Sequence, residues 1–376
     1  MAIGAPKDRW YLALAGGTWL LFACGHTDPF AIPPFGTTQP FDPTPPVRLT
    51  FNESADRGAS WLPDGSGILY SAQQLGRADA DVCLAELPPG GGSQRRLVCD
   101  LAREDANLTN ALESPAAGVD GRLAFLAVSN SIGGTNFTTE ALTVAPALDG
   151  AGAAMVQRLP YTLPGEPEHS WVTQISWQGE NRLLYLAGLT AIRRPCPLCV
   201  LDTITTGLKA ALLDLSAPGA VPVVLPGTDF ASGVSPGATG DEVFYTLNGD
   251  TRVYRRVLST GDQSVVHDFG AAGIARDVQT AGGRLTAIVG GRVHFESDAI
   301  LGPVQWDSGG FVHVVDLGTG ADVALPDEQR LFRRPVLAPG GDRLVAEGYP
   351  LIIVGSGASA DTTVGRAGDL YLFSTP

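Results

Sequence analysis

Lysine is nearly absent: Lys7 and Lys209 are the only two in 376 residues, and lysine plus arginine number 25 against 39 acidic residues. The formal net charge of −14 at pH 7 repels phosphate backbones, which excludes nucleic acid as an expected partner. Histidine is sparse as well, with five residues at positions 26, 169, 267, 294 and 313. No two of these are spaced to share one metal, and Asp79 with Asp81 supplies fewer oxygens than a calcium ion takes. His267 and His313 fall in expected strands, where a hydrogen-bonded structural imidazole is the ordinary role. Neither a P-loop nor a dinucleotide fingerprint occurs. No metal and no cofactor are therefore expected. Long hydrophobic runs are also missing: the apolar stretch from Trp10 to Ala23 falls short of the roughly 20 residues that a membrane helix needs.

That stretch fits an export signal instead. Lys7 and Arg9 precede it and Cys24 follows it. Leu21-Phe22-Ala23-Cys24 resembles the bacterial lipobox. The resemblance implies removal of residues 1–23 as a signal peptide and lipid attached to Cys24. Residues 24–46 then form a tether containing Pro29, Pro33, Pro34, Pro40, Pro43, Pro45 and Pro46, a composition that favours extended chain and cannot pair in a sheet. The expected location is the bacterial cell envelope, at the outer membrane or periplasmic face, with the membrane reached through the lipid.

What the chain has in excess is glycine, 47 residues, and proline, 28, spread between short apolar runs. That pattern reads as many tight turns between strands. Similar strand units recur at Gly67-Ile68-Leu69-Tyr70, Gly121-Arg122-Leu123-Ala124, Asn181-Arg182-Leu183-Leu184, Glu242-Val243-Phe244-Tyr245, Gly283-Arg284-Leu285-Thr286 and Asp342-Arg343-Leu344-Val345. Aligned on Ile68, Leu123, Leu183, Val243, Leu285 and Leu344, the steps are 55, 60, 60, 42 and 59 residues. Such periods, filled with short strands, mark propeller blades.

The last unit ends at Asp369–Phe373 without a fourth strand, while Val47-Arg48-Leu49-Thr50 matches the outer-strand pattern of Arg95-Arg96-Leu97. Pairing the two termini in one blade removes the open join of the ring. Trp61-Leu62-Pro63-Asp64-Gly65, followed by Ile68-Leu69-Tyr70-Ser71, resembles the core of TolB-type, WD40-like propeller repeats. The fold expected for 47–376 is thus an all-β, six-bladed propeller of four-stranded antiparallel blades, closed by its N- and C-terminal strands.

Four cysteines remain besides Cys24. Cys83 and Cys99 flank the Pro88–Gly92 loop symmetrically and are expected to face one another as a disulfide. Cys196-Pro197-Leu198-Cys199 is a C-x-x-C pair that reads as a loop-stapling disulfide, a redox pair or half of a zinc site. Gly233-Val234-Ser235-Pro236-Gly237 matches the G-x-S-x-G nucleophile elbow, but no helix pattern follows, so Ser235 is not expected to be a nucleophile.

The functional expectation is a lipid-anchored, monomeric recognition module that binds an envelope protein, peptide or glycan and is not an enzyme. The alternative is a propeller enzyme or sensor that holds a small molecule or ion in its central channel. Acidic or histidine side chains converging on the axis would favour the alternative, and convergence across blades is not visible in one sequence.

Overall fold

The turn at Leu62–Gly67 shows how the repeats fold locally. Leu62 N–H donates to the Gly67 carbonyl at 2.9 Å, and Gly65 N–H donates to the Leu62 carbonyl at 2.9 Å. Gly65 sits at φ +73°, and the Asp64 carboxylate accepts the Ser66 amide at 3.0 Å. Proline presets the first corner and glycine supplies the left-handed one, so the flanking strands fold back on each other.

The computed structural model describes residues 45–376 except 52–54, 74–81, 100–107, 132–136, 164–165, 167, 194–201, 292, 297–304, 309, 326, 328, 355–360 and 365–367. Contacts divide the chain into 1–37, outside the described residues, and 38–376, to which every described residue belongs. Strand β1 is Val47–Arg48. Strands β2 (Asp56–Trp61), β3 (Ile68–Gln73), β4 (Val82–Leu87) and β5 (Arg95–Val98) form one antiparallel meander. Strands β6 (Leu108–Ala117), β7 (Leu123–Ser131), β8 (Phe137–Ala145) and β9 (Ala154–Leu159) form another. The next sheet holds β10 (Trp171–Gln178), β11 (Arg182–Arg193), β12 (Asp202–Asp214) and β13 (Val223–Val224). It is followed by β14 (Ala231–Pro236), β15 (Glu242–Leu247), β16 (Arg252–Val257) and β17 (Gln263–Asp268).

In the fifth repeat, β18 (Ala275–Ala281) and β19 (Arg284–Val289) precede a two-stranded ribbon, β20 (Val293–Glu296) and β21 (Gln305–Ser308). The sheet then resumes with β22 (Phe311–Asp316) and β23 (Asp322–Leu325). The last repeat contains β24 (Arg330–Leu337), β25 (Arg343–Val354), β26 (Asp361–Val364) and β27 (Asp369–Ser374). Its strand order is β24-β25-β27-β1, with β26 paired to the far part of β25. The N-terminal strand is therefore the outer strand of the final blade, with Val47 opposite Leu372 and Arg48 opposite Tyr371.

Burial grades across each blade. In β15 the residues Val243, Phe244, Tyr245 and Thr246 are all buried, whereas in β17 no residue is. Inner strands are covered on both faces and read as continuous apolar runs; outer strands meet water. Apolar clusters fill the spaces between neighbouring repeats: Trp61, Tyr70 and Leu87 pack on Val345 and Leu370, and Leu184 and Leu186 pack on Val243 and Tyr245.

The architecture is an all-β propeller, but the blade count differs from the expected six. Four blades stand as separate sheets. The strands expected to form two more are joined into one eight-stranded sheet through a parallel bridge, Val82 to Ala111. A cluster including Leu69, Leu84, Leu112 and Phe125 packs the β2–β5 and β6–β9 parts against each other. The ribbon β20–β21 and the added strand β26 were not foreseen, because both are insertions beyond the repeating unit.

Candidate functional site

The innermost strands of successive repeats share one irregularity. Pairing slips between Arg57 and Ser60 in β2, Glu113 and Ala116 in β6, and Thr173 and Ser176 in β10. It slips again between Arg276 and Gln279 in β18, and between Arg333 and Val336 in β24. Inside these bulges Gly58, Ser114, Gln174, Asp277 and Arg334 take φ of +66°, +52°, +52°, +52° and +46°. For the four that are not glycine the left-handed conformation costs on the order of 1 kcal/mol each, and such residues concentrate where a side chain must be aimed.

Here the aim is across the central axis. Gln174 Nε2 donates to Asp277 Oδ1 at 2.9 Å, while Gln174 Oε1 accepts the Val234 amide at 3.0 Å. Asp277 Oδ2 accepts the Arg334 amide at 3.1 Å. The Arg334 guanidinium lies 3.4 Å from Glu347 Oε1, which also accepts the Gly58 amide at 2.6 Å. Tyr349 OH donates to Glu347 Oε2 at 3.0 Å. Burial pushes the Asp277 carboxyl above the usual carboxylate range, against the pull of the Arg334 amide and charge. The Glu347 carboxylate beside Arg334 strengthens that guanidinium's hold on its proton.

Gly58, Ser114, Gln174, Asp277 and Arg334 floor a cavity of about 360 Å³ at the axis. Segments of β2, β6, β10, β14, β18 and β24 all line it. Its wall is apolar, with Trp61, Val119, Trp177, Pro236, Pro335 and Leu337. The indoles are fixed: Trp61 Nε1 donates to the Val336 carbonyl and Trp177 Nε1 to the Ala116 carbonyl, each at 3.0 Å. Arg343 lies over Trp61 and Arg122 over Trp177, at 5.3 Å and 4.5 Å from the ring centres. A concave apolar wall above a few placed polar groups is the usual form of a ligand site.

Of the site residues singled out in the sequence, those that are described lie elsewhere. Cys83 and Cys99 form a disulfide with Cα atoms 4.5 Å apart, set up by the pairing of Leu84 with Val98. Cys24, Cys196, Cys199, Asp79, Asp81 and His26 fall outside the described residues. Ser235 is buried in β14, where its Oγ accepts the Thr280 amide at 2.9 Å. The preceding Gly233 serves backbone packing, since a Cβ there would stand 2.5 Å from Val278 N. No helix follows Ser235, and among the described residues the helical element is a single 3₁₀ turn, Gly270–Ala272.

His313 Nδ1 is 2.9 Å from Asp322 Oδ1, and His267 Nε2 is 3.9 Å from Asp322 Oδ2, away from the axis at a blade boundary. His169 is buried with Nδ1 at 3.1 Å from the Tyr161 hydroxyl. Among the described residues no group of three or more His, Cys, Asp or Glu is arranged to hold a metal ion. Also among them, no helix is long and apolar enough to cross a membrane.

No protein-family model matches the chain, and no curated protein matches its sequence. Solved structures do match. The gluconolactonase XC5397 of Xanthomonas campestris is 14% identical over 88% of this chain and 89% of its own, with a TM-score of 0.52. A luciferin-regenerating enzyme is 12% identical over 88% and 96%, with a TM-score of 0.51. TolB from Acinetobacter baumannii is 13% identical, with a TM-score of 0.47; the match covers 82% of this chain and 64% of the length of that protein. At these identities the likeness to the first two establishes the fold alone, a β-propeller.

The neighbours correct one expectation. Assignment of the chain as a non-enzyme does not stand, because two propellers that share its fold carry the names of enzymes. Missing local motifs do not exclude an active site in a propeller, which assembles its site from strands that are far apart in sequence.

Proposed function

We propose that this chain is an exported propeller that binds its ligand at the axial mouth between Trp61 and Trp177. In this reading lipid on Cys24 holds it at the cell envelope, residues 24–46 space it from the membrane, and Cys196 and Cys199 staple a loop. The ligand is a protein segment, peptide or glycan of the envelope.

The convergence of Gln174, Asp277 and Arg334 beneath an apolar wall carries the proposal. A second reading, catalysis at the same mouth, draws on Asp277: a carboxyl that burial holds above its ordinary range is a candidate proton-transfer group.

Both readings need an open mouth. Val119 is 75% exposed at its rim, so Val119→Trp should leave folding intact and obstruct the cavity. Capture of envelope ligand, and hydrolysis of a panel of lactones if catalysis operates, should both fall. Val265→Trp, on the exposed outer strand β17, should change neither. Unchanged capture and turnover in Val119→Trp would place the function away from the axis.

A further inference from the structure

The floor of the cavity is polar, and its charges are unbalanced. Among the described residues, the charged ones lining it are Glu180, Asp277 and Arg334, two carboxyl groups against one guanidinium. Arg334 is also engaged by Glu347, whose side chain is 2% exposed directly behind it. The direct hydrogen bonds to Asp277 come from a neutral side-chain amide and a backbone amide. Arg276, its neighbour in sequence, sends its guanidinium to the Gly290 carbonyl. At the rim, Glu180 is exposed. Carboxyl groups in a low-dielectric, apolar-walled cleft favour a cationic partner over an anionic one, and the net charge of the whole chain adds to the field.

We infer that the mouth selects an organic cation: a primary ammonium or guanidinium group carried on an apolar body, with the charged end directed at Asp277 and the body against Trp61, Trp177 and the prolines. The same chemistry is offered by a basic side chain in a peptide and by a free aliphatic amine. The inference rests on the axial mouth being the binding site and adds the class of ligand.

Titration calorimetry on the folded protein tests it with two pairs of probes, hexylammonium against 1-hexanol and N-acetyl-Leu-Lys-Leu-amide against its norleucine counterpart. Wild type should prefer the cationic member of at least one pair by about ten- to hundredfold, the size of one hydrogen bond to a charged group. The pair that shows the preference distinguishes a free amine from a peptide as the source. Added salt should shrink the preference, Asp277→Asn should remove most of it, and Glu180→Gln, at an exposed position, should remove part. Equal affinity for cationic and neutral probes in wild type, or a preference that survives Asp277→Asn, would overturn the inference and leave the mouth as a site of other specificity. Binding that is unaffected by Val119→Trp, or no binding by any probe, would reject the mouth together with the inference.

Discussion

Arg48 and Asp369 stand 2.6 Å apart, guanidinium to carboxylate, and join the first described strand to the last. Beside them Leu49 N–H donates to the Leu370 carbonyl at 2.7 Å, and Leu370 N–H donates to Thr50 Oγ1 at 3.0 Å. Leu49, only 5% exposed, packs with Trp61, Tyr70 and Leu372. The ring is thus fastened by buried apolar surface and backbone pairing as much as by charge.

Deleting residues 47–50 should therefore destabilise the domain severely. Leu49→Ala alone should cost about 2–5 kcal/mol, as for other buried leucines. Arg48→Ala should cost less, because that side chain is 41% exposed and solvent screens it. Denaturant melts of the three variants check the order; equal stability of the deletion and wild type would remove the closure from the account.

Much of this fold was legible in the sequence. The turn residues at Leu62–Gly65, the apolar inner strands and the disulfide Cys83–Cys99 follow from short-range chemistry, and so does the match of Val47–Thr50 to an outer strand. The axial ring was not read, because Gln174, Asp277 and Arg334 belong to no local motif and meet only after the ring closes. A usable signal existed: Gly58, Ser114, Gln174, Asp277 and Arg334 each lie eight to ten residues before the repeat anchors Ile68, Leu123, Leu183, Leu285 and Leu344.

Ser235 separates a structural role from a chemical one. Its Oγ accepts the Thr280 amide and lies 3.3 Å from the Thr280 hydroxyl. Ser235→Ala leaves that amide without its partner, so stability should fall by about 1–3 kcal/mol. A serine-reactive phosphonate should label neither protein at this position. Stoichiometric labelling of wild type at Ser235 would show the hydroxyl to be reactive and refute its burial.

Asp277 should trade stability for binding. Its folded-state carboxyl holds the proton more tightly than the unfolded chain does. The stabilising contribution is thus present below the unfolded value, about 3.9, and is lost as pH rises through the higher folded value. Above the unfolded value the raised carboxyl is a cost that asparagine removes, while its side-chain oxygen still accepts the Arg334 amide. Asp277→Asn should melt at or above the wild-type temperature at pH 7 and lose that advantage in acid. A marked loss of stability at pH 7 would contradict this.

His169 gives the opposite dependence. Burial holds its imidazole below the ordinary value; Glu166 pulls it up and Lys209 adds to the depression. The unfolded chain therefore takes up this proton first, and folding stability should decline as pH drops below about 6.5 towards the folded value. Urea midpoints recorded from about pH 7 to about pH 5 should fall more steeply for wild type than for His169→Gln. Parallel curves would mean that the imidazole is no more shielded in the fold than in the unfolded chain.

Entry of ligand at the axial mouth is tested most directly by site-specific photo-crosslinking in intact cells. A photoreactive phenylalanine analogue replaces Val119 at the rim or Val265 on the outer strand, which are 75% and 49% exposed. A discrete adduct is expected from position 119, depleted in Asp277→Asn, and none from position 265. Adducts of equal yield from both positions, or from position 265 alone, would contradict it.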